Sequence, residues 1–329
     1  MTTPNFEYSY CGNCVEIMSA ASGYGGTIRI LENRAFGSQA TCKHDGTLKT
    51  GGIVWDAAHC LVHLMGRLGP TAFRGKSVLE LGAGCGYVGI AAAKMGAVVT
   101  VSDRVDHLEH LHDNVARNQL EHCMRVTELE WAQHDTDAFR RRCSAPFDWI
   151  LASDCVYEED SHGPLARTVS AFSDALTLVL MSQECRSEVH TSFFRRATPS
   201  SYDGAQRRDS GGGEEEDACM DLSIRLLDDR AYERPAWCHQ HQHIQIFCLM
   251  KGTNVQGGGL GDGGVGAEGG GCGGGEGDAS RSGVGEWENM TFEELQQRVS
   301  MCHERRNEKR ERVCATVSAS GEQDLDELD

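Results

Sequence analysis

A doubly wound α/β sheet is the fold class that the sequence predicts, on three observations. Short, nearly continuous apolar runs alternate with segments of helical period from Gly51 to about Gly252. A glycine-rich stretch, "LGAGCGYVG", lies between the first such run and the helix that follows it. Asp103 then closes the second run, about 20 residues further on. Strand, helix, strand, helix in this rhythm implies parallel strands joined by right-handed crossovers.

Residues 1–50 read as an N-terminal extension with a strand at "GTIRILEN" and room for a β-hairpin. The main domain is expected over 51–252. "KSVLELG" has the unbroken apolar character of a strand buried on both faces. "YVGIAAAKMGA" continues as a helix and "VVTVSD" is the second strand. In "VDHLEHLHDNVARN" the residues Leu108, Leu111 and Val115 recur at helical spacing, and "MRVTEL" is the third strand. "FDWILASD" is the fourth and "ALTLVLMS" the fifth. Turn formers and charge over about 198–218 interrupt the rhythm and predict a surface loop insertion. "MDLSIRLLDD" and "HIQIFCLMK" then supply two strands close enough together to be antiparallel, so the sheet is mostly parallel with an antiparallel last strand.

Sixteen of the 39 glycines fall between Gly257 and Gly285, which predicts a flexible linker over 253–285. "EWENMTFEELQQRVSMCHERRNEKRERV" predicts a helix over 286–315, with Thr291 and Glu294 as a capping box and a basic last turn suited to the helix dipole. Arg305, Arg306, Lys309, Arg310 and Arg312 make it a mixed-charge helix expected to be exposed, with docking to an acidic partner as the alternative. An acidic disordered tail is expected over 316–329.

The net charge of −18 and a pI near 5.2 argue against nucleic acid and anionic membrane as partners, and favour a basic one. No secretory signal and no span of roughly 20 apolar residues is visible. The 15 cysteines are scattered, and several (Cys60, Cys85, Cys155, Cys248) sit inside apolar runs, as free thiols do in a reducing compartment. The cytoplasm is the expected location, with the nucleus also compatible. A C-x-x-C at Cys11 and Cys14 has no second copy and reads as two free thiols. His239, His241 and His243 alternate along a strand without a carboxylate cluster nearby, so a solvated face is expected there and no metal.

The chemistry concentrates around the glycine stretch. Gly82, Gly84 and Gly86 allow a tight turn and close approach of a ligand to the backbone. Asp103 stands where a carboxylate accepts both ribose hydroxyls. Residues 84–89 also satisfy the dinucleotide pattern G-x-G-x-x-G, which keeps a nicotinamide oxidoreductase in view. Glu80 shifts the balance toward S-adenosyl-L-methionine, because a carboxylate there suits a cationic amino-acid ligand and repels a pyrophosphate. The pair Trp55 and Trp131 shifts it the same way, since Trp131 follows the third strand within reach of the base, with ordinary core or rim aromatics as the alternative for each.

"GGIVWDAA", "VLELGAGCGYVGI", "VTVSD", "NVARN", "ELEW" and "FDWILASDCVYEE" together resemble the seven-strand, Rossmann-like protein-lysine methyltransferases with a D-x-x-Y motif, the methyltransferase-like 21 branch most of all. The resemblance covers roughly 51–251. It implies S-adenosyl-L-methionine as cofactor, held by Trp55, Gly82, Ala83, Gly84, Asp103, Trp131 and Ser153, with Asp154 and Tyr157 at the active site. It also implies a protein substrate of the kind that branch modifies: an Hsp70-type chaperone, the valosin-containing ATPase or an elongation factor. Ser153 departs from the alanine common in relatives. A monomer is expected.

Lysine near neutral pH is almost all ammonium, with a reference pKa of about 10.4, so such a site binds a cation and then lets a proton leave. Asp154 would attract it and Tyr157, three residues on, would orient it. Glu158, Glu159 and Asp160 either help or simply start a helix. No general base is assigned. Cys155 and Val156 replace the two prolines that shape the slot of base-nitrogen methyltransferases, which argues against a nucleic-acid substrate. Two other readings of the same scaffold are a small-molecule N-methyltransferase and a non-catalytic binding module.

Overall fold

The computed structural model describes residues 6–11, 14–19, 26–32, 50–131, 136–143, 146–185, 193–194, 222–228, 243–251 and 288–323. The expected loop insertion, the glycine linker, His239 and His241 lie outside these residues, as does the end of the acidic tail.

Strands β1 (Phe6–Cys11), β2 (Cys14–Ser19) and β3 (Gly26–Leu31) form an antiparallel meander. Cys11 and Cys14 are the last register pair of its first hairpin. Helix α1 (Asp56–Leu68) follows, with every residue from Ala57 to Met65 buried. The predicted alternation then appears in order: β4 (Ser77–Leu81), α2 (Tyr87–Lys94), β5 (Val98–Asp103), α3 (Leu108–Arg117), β6 (Met124–Glu128), α4 (Thr136–Arg142), β7 (Trp149–Ser153), α5 (Glu159–Phe172) and β8 (Leu178–Glu184). Strands β9 (Leu222–Leu227) and β10 (Ile244–Lys251) pair antiparallel with each other.

The large sheet has the order β11-β9-β10-β8-β7-β4-β5-β6, where β11 is Glu288–Met290. Only β10 opposes the common strand direction: it is antiparallel to β8 and β9, while the other pairs are parallel. The sequence thus yields the right class, and β11 adds an eighth strand to the seven expected. The chain winds one way through β4-β5-β6 and the other through β7-β8. This places the topological switch point, where ligands sit in such sheets, at the carboxyl ends of β4 and β7. Both strands are almost wholly buried, as their unbroken apolar character demands.

The N-terminal sheet is bound to the large domain through two asparagines one helical turn apart, Asn114 on α3 and Asn118 at its C-cap. The Asn118 side chain accepts from the Arg29 amide (3.0 Å) and donates to its carbonyl (2.7 Å); Asn114 does the same for Leu31 (2.7 and 3.2 Å). A helix face thereby supplies what a neighbouring strand would have supplied to the edge of β3.

The C-terminal helix differs from its sequence reading. Helix α6 runs from Phe292 to Gln323, starting later and ending later than the expected 286–315, and carries no basic residue in its last turn. Its start is capped as predicted, the Thr291 amide donating to Glu294 (2.8 Å) and the Glu294 amide to Thr291 Oγ1 (3.1 Å). Yet it is not an exposed mixed-charge helix over its first half. Leu295, Val299 and Cys302 enter the main core, and Arg306 is only 2% exposed. The Arg306 guanidinium pairs with Asp148 (3.1 Å) and Asp174 (2.6 Å), and Arg310 reaches Asp148 (3.2 Å). Two of the basic residues of this helix, Arg306 and Arg310, thus find their acidic partners within the domain. Burial alone would raise the Asp174 carboxyl, but the Arg306 bond and charge bring it below the usual carboxylate range.

Candidate active site

At the switch point a cavity of about 300 Å³ opens between the glycine loop, the segment 50–55 and the turn after β7. All ten residues singled out from sequence line it. The loop follows from three left-handed glycines, Gly82 (φ +60°), Gly84 (φ +52°) and Gly86 (φ +77°). A Cβ at Gly84 would also press on Gly51, at 3.0 Å from its oxygen, so the 50–55 segment lies directly on the loop. The Val54 amide donates to Glu32 Oε1 (3.1 Å), just past the end of β3.

Glu80 is 1% exposed and its Oε2 accepts the Gly89 amide at 2.8 Å. A Cβ at Gly89 would lie 2.5 Å from that oxygen. The third glycine of the apparent dinucleotide pattern thus makes room for a carboxylate, at the helix terminus a pyrophosphate would need. Burial, opposed by the Gly89 bond and assisted by the Asp103 charge, pushes the Glu80 carboxyl up to about 8.

Asp103 is 9% exposed. Its Oδ2 accepts the Gly84 amide (2.7 Å), and its Oδ1 meets the Arg104 amide (2.7 Å) and His107 Nδ1 (2.8 Å). With about four lone-pair directions on a carboxylate, one remains. The Trp131 ring lies against Gly82, 3.2 Å from where a Cβ would be. Trp55 ends the 50–55 segment, its Nε1 donating to the Thr50 carbonyl (3.0 Å).

Beyond Ser153 the chain turns sharply out of the sheet. Asp154 holds φ +52°, a left-handed conformation costing on the order of 1 kcal/mol outside glycine, although aspartate tolerates it better than most. Its amide still donates to the Ser182 carbonyl (2.8 Å). Its Oδ1 accepts from Gln183 Nε2 (2.8 Å) and the Glu184 amide (3.3 Å). Gln183 Oε1 in turn accepts the Val156 amide (2.9 Å). Cys155 points inward, its thiol donating to the Leu81 carbonyl (3.4 Å) and raised by burial.

Tyr157 is 46% exposed, and its hydroxyl accepts from Thr50 Oγ1 at 3.4 Å. Burial of the phenol end pushes it up to about 12, so it is a neutral phenol near pH 7. Helix α5 starts at Glu159, and the Glu158 carbonyl accepts from both the amide and the hydroxyl of Ser161. The acidic run is thus a helix start, and Glu158 and Asp160 also line the cavity mouth.

Sequence reasoning missed Gln183 and Thr50. Gln183 had one signal, a polar residue closing the buried run "LVLMS". His243 is taken by Glu184 (2.7 Å), and among the described residues no group of three or more His, Cys, Asp or Glu is placed to hold a metal. Among the described residues, no helix is long and apolar enough to cross a membrane.

Residues 37–199 match the model of the family described as lysine methyltransferase. Protein N-lysine methyltransferase METTL21A of Danio rerio is 37% identical over 145 residues, 43% of this chain and 64% of that protein. The Mus musculus METTL21A is 37% identical over 149 residues (44% and 66%). EEF1A lysine methyltransferase 3 of Xenopus tropicalis is 31% identical over 155 residues (47% and 66%). The chain spans slightly under two thirds of the length of each of these curated relatives.

Proposed function

We propose that this chain, whose residues 37–199 match the lysine methyltransferase family model, transfers methyl groups from S-adenosyl-L-methionine to a lysine side chain of a protein. The observation that carries the reading is that Asp154 and Tyr157 open into the same cavity as the glycine loop.

The cavity suits that cofactor by the chemistry of its walls. Glu80 and Asp103 are carboxylates facing a ligand with cationic groups, the left-handed glycines bring bare backbone to it, and Trp131 offers a flat apolar face. Trp55, Ala83 and Ser153 complete the enclosure. When bound, the cofactor supplies an electrophilic methyl group on a sulfonium. The residues of this chain do the rest by binding and alignment. Asp154 receives the lysine ammonium at the mouth, and Glu158 and Asp160 strengthen the local negative field. Tyr157, a neutral phenol, presents ring and hydroxyl to the amine rather than acting as a base. The amine becomes nucleophilic once its proton has left to solvent, and most of the rate comes from holding it in line with water excluded.

The proposed substrate is a protein such as a chaperone, an ATPase or an elongation factor, and the name of the Xenopus tropicalis relative, EEF1A lysine methyltransferase 3, supports a protein substrate. The cytoplasm is the proposed compartment and a monomer the proposed state. Nucleic acid and membrane are not proposed as partners, given the charge of −18.

The test is transfer of tritiated methyl from S-adenosylmethionine into a lysate of the same organism. A labelled protein band is expected, lost in Asp154→Ala with the fold intact, while Asp103→Ala weakens cofactor binding. Label in free amines instead would make it a small-molecule N-methyltransferase. Tight binding of NAD with no response to S-adenosylhomocysteine would overturn the reading altogether.

A further inference from the structure

We propose that Gln183 is the positioning residue of the active-site turn, holding Asp154 and the backbone that leads to Tyr157 from the neighbouring strand. The ladder between β7 and β8 ends at the pair Ser153 and Ser182. One residue later the backbone of Asp154 swings into the left-handed region and can no longer pair as a strand. The next side chain on β8 takes over. Gln183 Nε2 donates to Asp154 Oδ1 (2.8 Å) and to the Glu184 carbonyl (3.2 Å), and Oε1 accepts the Val156 amide (2.9 Å).

The orientation of this amide is forced by its neighbours. Two acceptors face the nitrogen and one N–H faces the oxygen, and a flipped amide would set like against like at all three contacts. At 3% exposure no water need be invoked to satisfy it. One planar group therefore grips the turn on both sides of its bend, at the carboxylate of residue 154 and at the amide of residue 156. Because Gln183 sits on a central strand and not on a loop, the grip is rigid.

The inference rests on the proposed methyl transfer, but its geometry can be read independently. The full-length chain is compared with Gln183→Leu and Gln183→Glu, using tritiated S-adenosylmethionine with lysate for rate and S-adenosylhomocysteine calorimetry for the cofactor site. Gln183→Leu is expected to lower the saturating rate by about 10- to 100-fold, with cofactor KM and S-adenosylhomocysteine affinity unchanged within about twofold. Gln183→Glu sets a second carboxyl beside Asp154, and the pair must share a proton to keep the bridge. Its rate relative to the parent is expected to fall as pH rises.

A Gln183→Leu rate within about twofold of the parent, or one that falls only in step with cofactor affinity, overturns the proposal. Should Gln183→Leu fail to fold, a pH-independent ratio for Gln183→Glu overturns it. If the parent labels nothing, the methyltransferase reading fails by itself, and a crystal structure of the better-folded variant decides the positioning role. Asp154 leaving its left-handed backbone supports that role, and Asp154 unmoved ends it.

Discussion

Asn114 on α3 donates from Nδ2 to the carbonyl of Cys85 at 2.9 Å, inside the glycine loop. The same amide holds both backbone groups of Leu31, so a single side chain ties the N-terminal sheet to the floor of the cavity. Asn114→Ala would strand a buried carbonyl and loosen β3 at once. A loss of about 2 kcal/mol in stability is expected, together with weaker S-adenosylhomocysteine binding, from denaturant titration and calorimetry. Unchanged cofactor affinity in a folded variant would show that the loop does not depend on this tie.

Glu80 predicts a pH dependence with a definite sign. Its carboxyl is raised to about 8, so the free site holds a proton that a cationic ligand would expel. Affinity for S-adenosylmethionine is expected to rise with pH by at most about tenfold per unit up to about 8, and then to level off. Glu80→Gln should flatten that slope. In the absence of ligand the same shift acts on folding: the Glu80 contribution is whole below the ordinary value of 4.5 and declines as pH rises toward 8. Proton release measured in buffers of different ionisation heat would check both.

Asp154→Asn separates charge from shape. Asparagine also tolerates the left-handed backbone, so the turn should persist while the anion disappears. Methyl transfer is expected to fall by about 100-fold or more with S-adenosylhomocysteine binding retained. Tyr157→Phe should act more mildly, about 10-fold, because the ring remains to face the cation. Equal rates for parent and Asp154→Asn would remove the carboxylate from the mechanism.

Arg306→Met leaves Asp148, 1% exposed, without its buried partner. Loss of one side of such a pair costs about 3 kcal/mol or more, far beyond the worth of a surface ion pair. A chemical denaturation midpoint that does not move would mean that Arg310 alone satisfies Asp148. The exposed pair of Arg312 and Glu308 (3.6 Å) gives the contrast: breaking it by Glu308→Gln should shift the midpoint far less than Arg306→Met.

What the sequence made legible is local or periodic. The strands from "KSVLELG" to "ALTLVLMS" announce themselves because burial on both faces leaves only apolar residues. Gly82, Gly84 and Asp103 are visible because a left-handed turn and a strand-ending carboxylate have few substitutes. Gln183 was not, since a polar residue at the end of a strand usually meets solvent and nothing nearby in sequence names Asp154 as its partner. The docking of α6 was hidden for a similar reason. Leu295, Val299, Cys302 and Arg306 do form a stripe of helical period, but the stripe is narrow and ends in a charge whose partner Asp174 is 132 residues away. β11 is three residues long, too short for any period to register.

That short strand has a bearing on where the chain can be cut. β11 pairs with β9, which without it would border the large sheet with a row of unpaired backbone groups. A chain ended at Lys251 to match the length of the family core would bare that edge. It would also strip the cover from the apolar strip beneath Leu295 and Val299 and leave Asp148 and Asp174 without Arg306. Such a fragment is a template for edge-to-edge association, and its low solubility would mislead anyone who took the last forty residues for an ornament.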